Sequence, residues 1–268
     1  MPPEYTGRGD AKRTMALLWG TQPIRARGPK PGLSVEQVVR AAVDLADEHG
    51  LDALSMRRVA EQLGVGTMSI YTYVPGKAEL VDVMVDTVYG EQAEALAASP
   101  EVASGDWRAG LEARARIDWD LYQRHPWLHQ VIHARSVLGP NETAVFDATL
   151  RIVEEIGLSA REMVAAVDLV VTYVGGAASG ASDAGSADEA TGKSEDEWWL
   201  EREPLLTEQW NPERFPTATR VAAAGGFDVP DDATSYSLQF LLDDFEFGLQ
   251  RLLDGIDTYI GSHGDGHP

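Results

Sequence analysis

The chain has 268 residues, 44% of them apolar, and no cysteine, so it can bury a core but holds neither a disulfide framework nor a thiolate metal site. No run of about 18 apolar residues and no apolar leader core is evident, which predicts no membrane span, no export and a cytoplasmic location. The net charge of −21 is uneven, with 10 Lys/Arg against 9 Asp/Glu in residues 1–80 and 12 against 34 in residues 81–268. An acidic body repels phosphate, so any nucleic-acid contact must come from the N-terminal third.

Residues 1–33 are basic, proline-bearing and without sustained period, and read as a disordered arm. Either it is a solubilising tail, or Arg8, Lys12, Arg13, Arg25, Arg27 and Lys30 contact phosphates or a minor groove. Ser34 and Gln37 form a capping-box pattern, and Val35, Val38, Val39, Ala42, Val43, Leu45 and Ala46 give a helical stripe that ends at Gly50. Ser55 caps a second helix over Arg57–Leu63. Gly64 permits a left-handed turn, and Thr67 is read as the cap of a third helix that ends before Pro75. A long helix follows from Gly76 to about Ala98.

The segment over residues 55–74 reads as a helix-turn-helix. Ile70 and Val74, four apart, face inward. Thr67, Met68, Ser69, Tyr71, Thr72 and Tyr73 then project elsewhere, with hydroxyls for phosphates or base edges and methyl groups for thymine. Arg57 is the guanine or phosphate candidate, and Lys77 a phosphate clamp. On pattern alone, the bland alternative is the solvated face of an ordinary helical hairpin.

Further helices are expected beyond Gly105 (Trp107, Leu111, Ile117, Leu121), after Pro126, over 141–156, over 161–178 and over 232–260. Residues 179–197, rich in Gly, Ala, Ser and Asp, read as a flexible loop. Pro204, Pro212, Pro216 and Gly225-Gly226 are expected to keep the following pieces short, and residues 261–268 read as a disordered tail. The fold class is all-α: an N-terminal three-helix DNA-binding domain (34–85) and a larger helical domain (86–260).

Residues 34–85 resemble the DNA-binding domain of the TetR (tetracycline-repressor) family of bacterial transcription regulators. Ala41, Leu45, Gly50-Leu51, Leu54-Ser55, Arg57, Val59-Ala60, Leu63-Gly64-Val65, Ile70-Tyr71, Tyr73-Val74, Lys77 and Leu80 carry the likeness. His125-Pro126-Trp127-Leu128 and the segment around it resemble, more loosely, the ligand-binding half of the tetracycline-repressor branch. The resemblance implies a homodimeric regulator, a repressor released from a palindromic double-stranded operator by a small molecule. The alternatives are a ligand-binding protein, or an activator or nucleoid protein without an effector. It implies that Arg57, Thr67, Met68 and Ser69 meet bases, that Tyr71, Tyr73 and Lys77 hold phosphates, and that Thr72 sits where the family varies base reading. Ser55 completes the DNA-facing set.

In the C-terminal half, aromatic residues taken singly read as core. In a family that binds small molecules there, Trp127, His129, His133, Arg135, Phe146, Asp168, Thr172 and Tyr173 are the pocket candidates, for an apolar or aromatic ligand. The helices near 161–178 and 232–258 are expected to form the dimer interface. His125, His129 and His133 recur at i, i+4, i+8, but Pro126 resets the helix. No metal, cofactor or enzymatic motif is expected.

Overall fold

The computed structural model describes residues 4–21, 33–132, 135–228 and 236–263. Helix α2 (Val35–His49) starts where the sequence marks it. Ser34 Oγ accepts from Gln37 N and Gln37 Oε1 from Ser34 N, closing the capping box. Gly50, at φ 75°, ends the helix in a conformation that a Cβ disfavours. Helix α3 (Met56–Gln62) is capped by Ser55 Oγ, which accepts from Arg58 N. Gly64 turns the chain at φ 65° into α4 (Thr67–Ile70). Val38, Val39, Ala42, Val59, Ala60, Ile70 and Val74 are buried together, so apolar packing fixes the angle between these short helices.

Helix α5 (Lys77–Ala98) is the shared wall of this part of the molecule. At 1.5 Å per residue it runs about 33 Å. One end packs on α2. Further along it packs on α7 (Trp107–Arg124) and α8 (Pro140–Ile152), with the short α6 (Pro100–Ala103) between α5 and α7 in sequence. A 3₁₀ turn at Pro126–Gln130 follows α7, as Pro126 predicts. Its Gln130 Oε1 accepts from Leu51 N, tying the turn to the end of α2.

The N-terminal segment corrects the expectation of disorder for residues 4–21. Strand β1 (Glu4–Tyr5) pairs in parallel with β2 (Val131–Ile132). Helix α1 (Ala11–Leu18) is capped by Asp10 and buries Thr14, Leu17 and Leu18. The anchors are remote in sequence: Gly7 N donates to Asp82 Oδ1, Asp10 N to Glu79 Oε1, and Trp19 Nε1 to the Leu138 carbonyl. Three acids of α5 thus hold main-chain N–H groups, because Asp86 Oδ1 accepts from Asn141 N and Glu142 N. Arg25, Arg27 and Lys30 of the expected arm lie outside the described residues.

The chain divides into two compact units, Met1–Gly175 with Leu252–Pro268, and Gly176–Arg251. The division does not fall at residue 85, because α5 packs with the helices on either side of that point. In the second unit the expected loop over 179–197 is corrected: α9 (Ala160–Thr191) continues as one helix and breaks at Gly192, φ 69°. Alanine has the highest helix propensity, and the buried Ala178 and Ala181 outweigh the roughly 1 kcal/mol cost of each interior glycine. Ser194 and Glu197 then close a capping box for α10 (Glu195–Gln209).

Pro204 lies inside α10 instead of ending it. The carbonyl deprived of its partner belongs to Leu200, which is 77% exposed, so water can satisfy it. Helix α11 (Pro216–Ala223) follows. Helix α12 (Tyr236–His263) runs through the first residues of the expected tail, and residues 264–268 lie outside the described set. Residues Ala160–Ala187 of α9 hold an 18-residue stretch of mean hydropathy 1.5, long and apolar enough to cross a membrane by length and composition. Asp168 and Asp183 interrupt that stretch, and Val167, Val170, Val174, Ala178 and Ala181 are its buried stripe.

Candidate nucleic-acid interface and effector cavity

The helix-turn-helix divides its side chains as the i, i+4 pattern predicts. Ile70 and Val74 are fully buried, whereas Met68 is 78% exposed and Ser69, Tyr71 and Thr72 face solvent. Tyr73 is half-buried against the core. The expectation that Thr67 caps α4 is corrected. Gly66 occupies the capping position with no side-chain bond, and Thr67 is the first helical residue. Its hydroxyl is therefore not committed to the cap. Ser55 is the reverse case, since its hydroxyl serves the α3 cap.

Two of the cations face carboxylates. Arg57, with its side chain 80% exposed, donates from Nε to Glu61 Oε1 at 2.8 Å. That bond and the charge of Glu61 raise the guanidinium pKa above its ordinary value. Lys77 Nζ, at the first turn of α5, sits 3.0 Å from Glu4 Oε1 of β1.

A polar cluster lies where α2, α5 and the end of α7 meet. His125, buried at the end of α7, places Nδ1 2.8 Å from Asp47 Oδ1 of α2 and Nε2 3.3 Å from Glu91 Oε2 of α5. Trp127 Nε1 donates to the same Asp47 oxygen at 2.7 Å, and Arg124 pairs with Glu91. Burial works against a charged His125, but the two carboxylates outweigh it and raise its pKa. Three elements from different parts of the sequence meet on this imidazole.

A cavity of about 150 Å³ opens between α5, α7, α8 and the first part of α9. That volume suits a molecule about the size of a single aromatic ring. Phe146 and Asp168 of the expected pocket residues line it, at exposed positions. Trp127 and His129 are corrected to packing roles. Trp127 is buried beside Asp47, and His129 stacks on Tyr122 at 4.5 Å, one layer behind the cavity wall. The Arg135 carbonyl accepts from Thr6 Oγ1 at 2.5 Å, and its side chain faces solvent. Thr172 is exposed and Tyr173 half-buried, both off the cavity lining, and His133 lies outside the described residues. His125 and His129 therefore have separate surroundings and do not converge.

The sequence reading missed the polar floor of the cavity. Arg114 and Asp118, both buried, form an ion pair. Arg114 Nε donates to Thr149 Oγ1 at 2.9 Å, and Gln92 Nε2 donates to Asp118. Burial pulls the Arg114 pKa down to about 10. Burial pushes the hydroxyls of Tyr89 and Tyr122 above their ordinary range, so both stay protonated. The available signal was position: Arg114 and Asp118 share the stripe of Leu111, Ala115 and Tyr122, where charge is out of place on an apolar face.

Comparison with known proteins agrees with this layout. Residues 38–84 match the family described as bacterial regulatory proteins, tetR family, and residues 99–260 match the tetracyclin repressor-like C-terminal domain. The HTH-type transcriptional repressor DrrR1 of Streptomyces coeruleorubidus is 40% identical over 257 residues, covering 96% of this chain and 89% of that repressor. The class A tetracycline repressor protein from transposon 1721 of Escherichia coli is 33% identical over 157 residues, 57% of this chain and 71% of that protein. Among solved structures, the Streptomyces coelicolor TetR family protein ActR in complex with actinorhodin superposes with a TM-score of 0.66 at 25% identity, over 84% of this chain and 96% of that one. With the helix-turn-helix at one end of α5, a cavity along its length, and family matches that together span most of the sequence, this chain belongs to the TetR family of bacterial transcription regulators.

Proposed function

We propose that the protein is a repressor that binds a palindromic operator as a homodimer and is released by a small, largely apolar or aromatic molecule held in the α5–α9 cavity. The observation that carries this reading is the shared helix: Lys77 lies at one end of α5, while Tyr89 and Gln92 of the same helix line the cavity. Fifteen residues separate Lys77 from Gln92, about 22 Å of helix. A ligand seated against Tyr89 and Gln92 favours one setting of α5, and that setting determines where α4 sits. If the ligand prefers a setting that misplaces the reading helices, ligand and operator weaken each other reciprocally.

In this reading residues 34–85 are the DNA-binding domain and residues 86–260 the effector and dimerisation domain. Thr67, Met68, Ser69 and Thr72 address base edges. Tyr71, Tyr73, Lys77 and Arg57 address phosphates, with Arg57 also within reach of bases once it leaves Glu61. Ser55 contributes by capping α3. A single helix-turn-helix reads few base pairs, so two copies are needed. Helices α9 and α12 supply the interface, and their exposed Leu169, Phe247 and Tyr259 are apolar surface for a second copy to cover. Work on a bacterial operator goes with a cytoplasmic location.

The test is fluorescence anisotropy of the full chain against DNA from its own promoter region, with random DNA as control and salt varied. Selective, salt-sensitive binding at two protomers per site supports the reading. Equal weak binding to both DNAs counts against it.

A further inference from the structure

The first cations of the chain are set in place by contacts remote in sequence. Residues 4–18 precede the helix-turn-helix, yet they pack on the first turns of α5. Glu4 Oε1 lies 3.0 Å from Lys77 Nζ, and Glu4 Oε2 lies 3.9 Å from Arg8 Nη1. One carboxylate thus sits between two cations and neutralises only one of them. Gly7 N, next to Arg8, is tied to Asp82, and Asp10 N is tied to Glu79, on the same turn of α5 as Lys77. Anchors on both sides of Arg8 therefore fix its backbone beside Lys77.

The Arg8 side chain is 56% exposed, and at 3.9 Å its contact with Glu4 is too long for a hydrogen bond. An exposed pair of this kind contributes little and is readily exchanged for another anion. Lys12 and Arg13, on the first turn of α1, are exposed as well. The acids of this corner are committed: Glu79 is buried on Asp10 N, Asp82 is buried on Gly7 N, and Asp10 caps α1. What faces solvent is led by Arg8, Lys12 and Arg13, in a chain whose net charge is −21. A cationic patch on an acidic body selects an anionic partner, and its place beside Lys77 sets it next to the helix-turn-helix.

We propose that the N-terminal segment is a second DNA contact outside the helix-turn-helix: Arg8 binds a backbone phosphate neighbouring the one that Lys77 takes, and Lys12 and Arg13 add to the attraction. The guanidinium fork suits phosphate oxygens, and the contact carries no base information. Because the segment is already pinned to α5 and β2, binding forfeits little of the ordering entropy that a disordered arm would lose. The proposal rests on the reading that the protein binds an operator through α4.

The test is a salt series of anisotropy titrations with the full chain, on duplex DNA from its own promoter region and on random duplex of the same length. Arg8→Ala is expected to weaken binding to both DNAs about three- to tenfold at low salt and to lower the salt slope by about two for a dimer, one phosphate per protomer. The preference for promoter DNA should stay as in the wild type. Arg8→Lys should keep the slope, and Arg151→Ala, which removes an exposed cation from α8, should change neither quantity. Thermal unfolding checks that each variant folds. Wild-type affinity and slope in Arg8→Ala, a loss confined to promoter DNA, or an equal loss in Arg151→Ala would overturn the proposal. A wild type that prefers promoter DNA alongside an unaffected Arg8→Ala leaves the operator reading standing without this contact. A wild type that binds both DNAs alike removes the operator reading, and the Arg8→Ala slope still decides the phosphate contact.

Discussion

Lys77 Nζ lies 3.0 Å from Glu4 Oε1, so the cation at the first turn of α5, which we propose as a phosphate contact, is held by a carboxylate 73 positions earlier in the chain. Both side chains are largely buried at this contact, at 25% and 20% exposure. In the proposed reading, phosphate and Glu4 compete for one ammonium. Glu4→Gln should raise operator affinity about two- to fivefold at low salt, and the gain should shrink as salt screens the pair. Anisotropy titrations at two salt concentrations measure this, and unchanged or weaker binding would mean that Lys77 does not serve phosphate.

The proposed reading sets up the same competition at Arg57, on the exposed face of α3. Its partner Glu61 sits on the next turn. Arg57→Ala should weaken binding to specific and random DNA alike and lower the salt slope by about one unit if the contact is to phosphate. It should weaken the specific site selectively if the contact is to a base. Glu61→Gln should act in the opposite direction to Arg57→Ala. An Arg57→Ala protein that binds both DNAs like the wild type removes Arg57 from the interface.

The His125 cluster gives stability a pH dependence of known sign. Its folded pKa is raised above the ordinary 6.5 by Asp47 and Glu91 against the cost of burial. The contribution is fully present below about pH 6.5 and is lost as pH rises through the folded value. Glu91, lowered by His125 and Arg124 against its own burial, contributes in the opposite sense, losing its share only in acid. The Tm of the wild type should fall on going from about pH 6.5 upward, while His125→Gln should melt lower and show a flatter profile. Parallel profiles for the two proteins would rule out this role.

Helix α8 takes its N-terminal cap from another helix. Gly139 is its capping residue and supplies no side chain, and Asp86 of α5 accepts from Asn141 N and Glu142 N instead. A Cβ at Gly139 would collide with the Asp86 carboxylate. Asp86→Ala should cost about 1–3 kcal/mol by leaving those donors unmet. Gly139→Ala should destabilise through the collision despite alanine's better propensity. Chemical denaturation reads both, and an Asp86→Ala protein as stable as the wild type would contradict the assignment.

In the cavity floor, Arg114→Met leaves Asp118 buried without its counter-ion and should cost about 3–5 kcal/mol, whereas Arg114→Met with Asp118→Leu should recover most of the loss. Thermal melts of the single and double variants decide. A double variant no more stable than the single would show that the pair is not the unit that matters.

The contrast between α2 and α1 shows what the sequence made legible. Helices α2 to α5 announce themselves because caps, period and stops are all local: Ser34 with Gln37, Gly50, Ser55 and Gly64. Helix α1 has eight residues and a short amphipathic pattern, and its anchors are Asp82, Glu79 and Leu138, which no local window contains. The end of α9 was hidden by Gly, Ser and Asp, whose turn signals masked a run of alanines. In the cavity, Phe146 and Asp168 could be named, but Arg114 and Asp118 could not, because a buried ion pair in sequence looks like two surface charges. Trp127 was misplaced for a related reason, since its burial against Asp47 of α2 depends on packing across 80 positions.

Glu79, Asp82 and Asp86 lie on one face of α5, and each grips a backbone segment distant in sequence. Rolling α5 about its own axis would release the N-terminal strap and the start of α8 together, breaking four main-chain hydrogen bonds at once. Tilting or sliding it along with those segments breaks none. The helix that links cavity to reading head is therefore geared for pivoting and barred from spinning, and any signal it carries must travel with the strap attached.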